Sequence, residues 1–491
     1  MLPTSRPSRI LLAPRLLILV ALVWAFVWVS GFPRTYDDEE LPPGHPLLQN
    51  KPVATVVPHP VEAEQVVVAI KTTATDALSK IPPMLLLTHQ SNHEQLLILG
   101  DMQMHIGTFQ VHDVLDRTDA DLLAHSPDLE RYRKQVQYAS HHRDIPSLTE
   151  KNLQKEKEVR ESMDKYKYLR MLERAWDFLP ERLWYVFVDT DTFLVRSNLL
   201  NWLGQHDSGE EHFFRNPPDL DSNAPFALGG STFVLSVGAM RLLFTEREGV
   251  VSAWEERISK FSSGYDVLKS ALSSELNLEG NHTWPGISGF NPHTVPYGPD
   301  VWCEPVIALE GVSAGLQSDI WRLQRDREEY QHRMDPLTFM DLWQRFIQPE
   351  GMTNARDDWD NLCSSPDNAR WNILFEEAEQ KLHGAEHMRH MDRDEEGRAK
   401  SGEKSWEACR KSCNGHEHCV QWSYSSTLEP NHNENGKTKC HLSRSFRLGG
   451  WLDPQEIKVN GENMQRKWAS GWRRDRFEEF AKHQRCKGQQ N

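Results

Sequence analysis

Short apolar runs punctuate the first two thirds of the chain, and charged amphipathic stretches separate them. Val66-Val-Val-Ala-Ile70 and Leu96-Leu-Ile-Leu99 are too short for buried helices and suit strands covered on both faces. Trp184-Tyr-Val-Phe-Val188 is a third such run. It stops abruptly at Asp189-Thr190-Asp191, ahead of a second apolar segment from Phe193 to Val195. Between Asp119 and Gln137, and from Val159 to Phe178, apolar residues recur at three and four positions, the spacing of surface helices packed on a sheet. Thr75 or Asp76 is placed to cap a helix running towards Pro82. Further helices are predicted from Asn198 to Leu203, from Ser236 to Leu243 and from near Asp266 to Leu276, with strands from Thr232 to Leu235 and from Trp302 to Ile307. Strand alternating with helix predicts an α/β fold, a mainly parallel sheet with helices on both sides.

The acid pair gives the pattern a chemistry. In an open α/β sheet, ligands bind at the carboxyl ends of the strands, and two hard oxygen donors there suit a divalent cation carrying the phosphates of a nucleotide diphosphate. Asp-x-Asp also occurs at Asp119/Asp121, Asp219/Asp221, Asp358/Asp360 and Asp392/Asp394, so spacing alone is weak. The Asp189/Asp191 pair differs in being held at the rim of a core, although a turn or helix cap is the plainer reading. Gly229-Gly230, just before a strand, allows a tight bend or a close approach to a ligand. Asp266, entering an amphipathic helix, is either a first-turn charge or a catalytic acid. A hydrolase using Asp189 and Asp191 is disfavoured, because acids two apart on one loop do not straddle a glycosidic bond.

The 491 residues allow two or three domains. Against 71 acidic residues the 56 basic ones leave a formal charge of -15, and no basic stripe interleaves with aromatics, which excludes nucleic acid as a partner. Residues 16–32 carry no charge and follow Arg6, Arg9 and Arg15, which predicts a signal anchor in the lipid bilayer with the body outside the cytosol. A cleaved signal peptide is the rival, without a visible Ala-x-Ala site. Frequent prolines from Pro33 to Pro60 read as an extended stem. Asn281-His-Thr283 is a glycosylation acceptor, and five of the seven cysteines (Cys409, Cys413, Cys419, Cys440, Cys486) crowd the carboxyl end, as in a disulfide-stapled module of an oxidising compartment. The odd total leaves at least one thiol unpaired within the chain, and spacing does not fix the connectivity.

Several motifs in one order carry a more specific signal: Ile70-Lys-Thr-Thr-Ala-Thr-Asp76, Gly100-Asp101, His112-Asp113, Trp184-Tyr-Val-Phe-Val-Asp-Thr-Asp191, Ala227-Leu-Gly-Gly-Ser-Thr-Phe-Val-Leu-Ser236, Gly264-Tyr-Asp-Val-Leu268 and Trp302-Cys-Glu-Pro-Val306. With these the chain resembles fringe-like glycosyltransferases of family 31, in particular fungal members carrying a PAN-like module. The resemblance runs over roughly residues 66–346 and then 406–486. It implies a GT-A type Rossmann-like domain, a UDP-sugar donor, Mn²⁺, and inverting transfer of a hexose or N-acetylhexosamine to a glycan or glycoprotein hydroxyl, in a type II protein of the Golgi membrane. By that resemblance Lys71, Thr72 and Asp101 line the uridine side, and Asp191 ligates the metal. Asp189 holds the ribose or a metal-bound water, Gly229 and Gly230 border donor and acceptor, and Asp266 is the base. The implied organisation is a cytosolic tail (1–15), an anchor (16–32), a stem (33–63), a transferase domain (64–350), a helical linker (351–404) and a PAN-like or apple-like module (405–491). Within the module the resemblance suggests Cys409 bonded to Cys440 and Cys413 to Cys419.

The sequence departs from the family where its relatives carry a metal-ligating histidine: here the position reads Leu309-Glu-Gly311, so Glu310 is either a substitute oxygen ligand to Mn²⁺ or a surface acid. The acid motif reads Gly-Tyr-Asp rather than Gly-Asp. These departures support an alternative expectation, a non-enzymatic glycan-binding or scaffold protein that keeps the fold.

Overall fold

The computed structural model describes residues 61–486 except 217–229, 248, 332–334, 351, 353–354, 366–367, 369–370, 375–401, 429–434, 460–461 and 485. The principal sheet is built from β1 (Val66–Lys71), β2 (Leu96–Gly100), β3 (Met104–Ile106), β4 (Phe109–Asp113) and β5 (Trp184–Asp189). Beyond β6 (Phe193–Leu194), which belongs to a second sheet, it is completed by β7 (Phe213–Arg215), β8 (Phe233–Ser236) and β9 (Asn281–His282). The strand order is β3-β4-β2-β1-β5-β8-β7-β9. β4, β2, β1 and β5 run parallel, whereas β8 is antiparallel to both β5 and β7. The small second sheet joins β6 to β10 (Ile287–Ser288) and β11 (Ala308–Leu309).

Alternation sorts the central strands onto two cores. Val66, Val68, Ile70, Val186 and Val188 pack against α1 (Ala77–Leu87), whereas Val67, Ala69, Tyr185 and Phe187 face the other side, against α2 (Glu130–Ser140) and the long α3 (Leu153–Phe178). Two more helices follow, α4 (Arg196–Leu203) on the first face and α5 (Val237–Phe244) on the second. The second core is closed by α6 (Gly264–Leu276). Asp76 sits at the N-cap of α1, yet its carboxylate reaches Arg160 of α3 at 2.6 and 2.8 Å and makes no cap bond. The helix passes through Pro82 and Pro83 to Leu87 instead of ending at the prolines.

Several expectations need correction. The principal sheet is mixed, because β8 enters antiparallel, and the protein is a mixed α/β fold with several sheets rather than one mainly parallel Rossmann-like sheet. The expected membrane anchor, residues 16–32, and the stem up to residue 60 lie outside the described residues. Among the described residues no helix is long and apolar enough to cross a membrane. Within the predicted strand from Trp302 to Ile307 only Pro305 makes a β-bridge, to Thr338, the rest being turn and coil, and the short strand Ala308–Leu309 follows it.

The carboxyl-terminal region is less separate than the sequence suggested. Two strands from the expected linker, β12 (Arg356–Asp357) and β14 (Asn372–Leu374), join its main sheet, and a third, β13 (Trp359–Asp360), pairs with β17 (Gly450–Trp451). That main sheet also contains β15 (Gln421–Leu428), β16 (Asn435–Ser443), β18 (Gln455–Val459) and β19 (Glu462–Trp472). One core runs across the boundary: Phe193, Tyr297, Trp302 and Trp343 pack with Phe446, Trp472 and Phe477. Cys303 of the body is bonded to Cys486 at the end of the chain. The other two disulfides, Cys409–Cys440 and Cys413–Cys419, match the suggested pairing. Cys363 is the buried free thiol, and burial pushes its pKa well up, away from the reactive thiolate. The bulk of the expected helical linker, residues 375–401, lies outside the described residues.

Candidate functional site

The carboxyl ends of β1 and β5 lie side by side, with Lys71 in register with Asp189. Lys71 Nζ is 3.2 Å from Asp189 Oδ1 and 2.8 Å from Asp164 Oδ2, an acid on α3. Burial opposes the lysine's charge, but Asp164 and Asp189 outweigh it and hold the pKa well above the usual lysine value. The same charge alternation continues inward. Lys167, one turn along α3 from Asp164, lies 2.9 Å from Asp164 Oδ1 and 2.7 Å from Asp101 Oδ2. Asp101 Oδ1 accepts from the Ala74 amide at 2.7 Å and from Gln135 Nε2 at 3.0 Å. A chain of charges, Asp189–Lys71–Asp164–Lys167–Asp101, therefore ties the ends of three strands to one helix.

This arrangement changes the role of Asp101. Its side chain is fully buried, with the Ala74 amide on Oδ1 and the Lys167 ammonium 2.7 Å from Oδ2, so it anchors the loop after β1 from inside. Thr72 is also buried, and its amide donates to Leu99 O at 2.8 Å. Lys71 and Asp189 remain at the rim, the carboxylate partly exposed. Asp191 is exposed. Partial desolvation by the surrounding chain and the like charge of Asp189 raise its pKa.

Glu310 enters from the second sheet. Its loop packs beside the acid pair, the Val312 amide donating to Asp191 O at 2.9 Å. The Glu310 carboxylate accepts from the amides of Ser231 at 2.7 Å and Thr232 at 2.8 Å. Gly230, at φ +107°, makes the turn that presents them, and a Cβ there would lie 3.2 Å from Glu310 Oε1 as well as in a disfavoured conformation. Burial pushes the Glu310 pKa up to about 7, against those two amides and with help from Asp189. Gly229 lies outside the described residues.

The expected Mn²⁺ set is not assembled. Lys71 neutralises Asp189, Glu310 holds its two oxygens on backbone amides, and among the described residues no three His, Cys, Asp or Glu side chains form a group that could hold a metal ion. Glu310 is neither the substitute ligand nor a surface acid. It is a buried carboxyl that fixes the turn after Gly230.

Its raised pKa has a measurable sign. The folded chain keeps a proton on Glu310 that the unfolded chain releases at lower pH, so this group's stabilisation is fully present below the unfolded carboxyl pKa and is lost as pH rises through about 7. Glu310→Gln is expected to remove that slope, worth roughly 3 kcal/mol between pH 4 and 8. Chemical denaturation across that pH range measures it. Parallel pH profiles for the two proteins would refute the assignment.

Asp266 stands in the first turn of α6, whose N-cap is Ser263. Ser262 Oγ and Ser263 Oγ both donate to Asp266 Oδ2, at 2.5 and 2.8 Å, and among the described residues Oδ1 has no protein donor. The helix start is seated on Tyr168: a Cβ on Gly264 would lie 2.5 Å from that ring. The same ring stacks on Phe233 and carries Lys71 Nζ 5.0 Å from its centroid. Tyr168 thus links the Asp266 helix to the strand ends. Asp266 is both the first-turn acid and an oriented carboxylate with one free oxygen.

Lys71, Asp189, Gly230 and Asp266 were candidates from the sequence, whereas Asp164, Lys167 and Tyr168 were not: Asp164 bridges Lys71 and Lys167, and Tyr168 lies between Lys71 and the start of the Asp266 helix. The only available signal was the Asp-x-x-Lys spacing of Asp164 and Lys167 on a single helix face, common to many solvated helices. No protein-family model matches the chain, and no curated protein shows a significant match to it.

Proposed function

We propose that the chain is a glycosyltransferase that moves a hexose or N-acetylhexosamine from a UDP-sugar to a glycan hydroxyl with inversion. The observation that supports it most is the convergence at one sheet edge of the Lys71/Asp189 pair, the Gly230 turn and, through Tyr168, the start of the Asp266 helix. The resemblance of the motifs to family 31 supplies the donor class. In this reading the acceptor oxygen bonds to the anomeric carbon as the bond to the diphosphate oxygen breaks. UDP leaves with the electron pair, and the acceptor's proton passes to Asp266 Oδ1. Lys71 is the cation nearest the leaving diphosphate. The three disulfides and the exposed Asn281 fit a body that matures in an oxidising compartment.

A base aligned with the acceptor contributes roughly 10²- to 10⁴-fold in rate. Asp266→Asn is expected to lower turnover by that order while leaving UDP affinity unchanged, as read by product formation across a panel of UDP-sugars and by UDP titration. Unchanged turnover would remove Asp266 from the base role. The second reading, a glycan-binding or scaffold protein, is favoured by one specific observation, that the carboxylates of Asp189 and Glu310 are both committed to protein partners. It predicts no turnover with any UDP-sugar.

A further inference from the structure

A cavity of about 570 Å³ lies on the opposite face of β1 and β5 from the Lys71 to Asp101 charge chain, between α1 and α7 (Ala314–Arg325). That volume falls within the roughly 300–1,000 Å³ of small-molecule sites. Ile70 and Val188 from the sheet, Leu194 from β6, Met84 from α1 and Trp321 from α7 give it an apolar wall, and polar side chains such as Gln317, Gln324 and Arg325 complete the lining. Arg196, at the start of α4, also lines it. Its one hydrogen bond among the described residues is a long one, from Nη2 to Ala63 O at 3.4 Å, and Nε is buried with no partner. Burial lowers its pKa, and the field of Glu64 opposes this only in part. The first turn of α4 receives no side-chain cap bond from its N-cap residue, Val195, so its amides have positive ends to offer. Two acids, Glu328 and Glu329, also line the cavity, and Glu329 is already paired with Arg325 at 2.6 Å.

We propose that this cavity binds a single-chain amphiphile with an anionic head, a fatty-acid-like carboxylate. Its tail lies among Ile70, Met84, Leu194 and Trp321, and its head lies on Arg196 and the amides opening α4. An apolar tail answers the apolar wall, and the carboxylate pairs with a guanidinium that otherwise has one long hydrogen bond among the described residues. Glu328 and Glu329 disfavour a second negative group further along the chain. The site shares strands with the sheet edge described above but none of its charged residues, so it stands independently of the transfer reaction.

Calorimetric titration of the full chain with decanoate, decanol and decyltrimethylammonium, all below their aggregation thresholds, tests it. Decanoate is expected to bind saturably, one per chain, and the cationic analogue at least about tenfold more weakly. Arg196→Gln is expected to weaken decanoate by about tenfold or more and leave decanol unchanged. Leu194→Trp fills the cavity and is expected to abolish both, and Met84→Phe serves the same purpose should that variant fold poorly. No saturable binding to the unaltered chain, or equal affinity for decanoate and the cation, would overturn the proposal without recourse to any variant.

Discussion

Replacing Lys167 by methionine is expected to lower folding stability by about 3–5 kcal/mol, the usual effect of removing one member of a buried ionic group. Lys167 has no exposed surface, and its ammonium serves both Asp101, also fully buried, and Asp164. Burial opposes its charge, and the two acids outweigh that and raise its pKa. Asp164 in turn is held well below the usual carboxylate range, since Lys167 and Lys71 outweigh the burial that would raise it. Methionine keeps the volume and removes the charge, so the loss is electrostatic, not a cavity effect. The double variant Lys167→Met, Asp101→Asn is expected to recover part of the loss, because the two residues share one network. The deficit also narrows as pH falls, since a carboxylate deprived of its cation protonates more readily. Urea unfolding at several pH values reads all three effects. A loss below about 1 kcal/mol at neutral pH would place Lys167 among weak surface pairs and contradict the network.

Removing the Cys303–Cys486 bridge is expected to have a comparable effect. It closes a loop with a sequence separation of 183, and the chain-entropy account assigns a loop of that length about 5 kcal/mol, with native-state strain able to reduce it. By the same account Cys413–Cys419, with a separation of 6, constrains the unfolded chain far less. Cys486→Ser is therefore expected to lower the unfolding midpoint much more than a Cys413→Ser, Cys419→Ser pair. The bridge lies beside the shared core of Trp302, Trp343, Phe446 and Phe477, so the variant should loosen the carboxyl-terminal helix α8 (Arg474–His483) first. Limited proteolysis after chemical denaturation checks that order. Equal effects from the two bridges would mean that the terminal segment is held by its core contacts and not by the cross-link.

The parts of the fold legible in the sequence are those with local periodicity. The runs at Val66, Leu96 and Trp184 are strands because an apolar segment of that length, buried on both faces, has no competing solution. Ser236 and Ser263 mark helix starts through bonds within one turn, so those also showed. The direction of β8 did not, because an antiparallel and a parallel neighbour of β5 bury the same side chains. Lys167 reads as a solvated residue on a charged helix, and nothing local distinguishes a lysine facing water from one facing Asp101, 66 positions earlier in the chain. Glu310 was misread for the same reason: its partners are backbone amides almost eighty positions away. The short-range cysteine pairs followed from a resemblance, whereas Cys303, alone in the body, carried no mark of its distant partner.

The proposed transfer requires a donor nucleotide at the edge where β1 and β5 end. Amide hydrogen exchange of the full chain with and without saturating UDP tests this most directly. Slowed exchange is expected, confined to residues 71–76, 189–192 and 230–232, with the far strands β3, β4 and β9 unchanged. Protection absent from all three segments at saturating UDP, or concentrated in the carboxyl-terminal sheet, would contradict it.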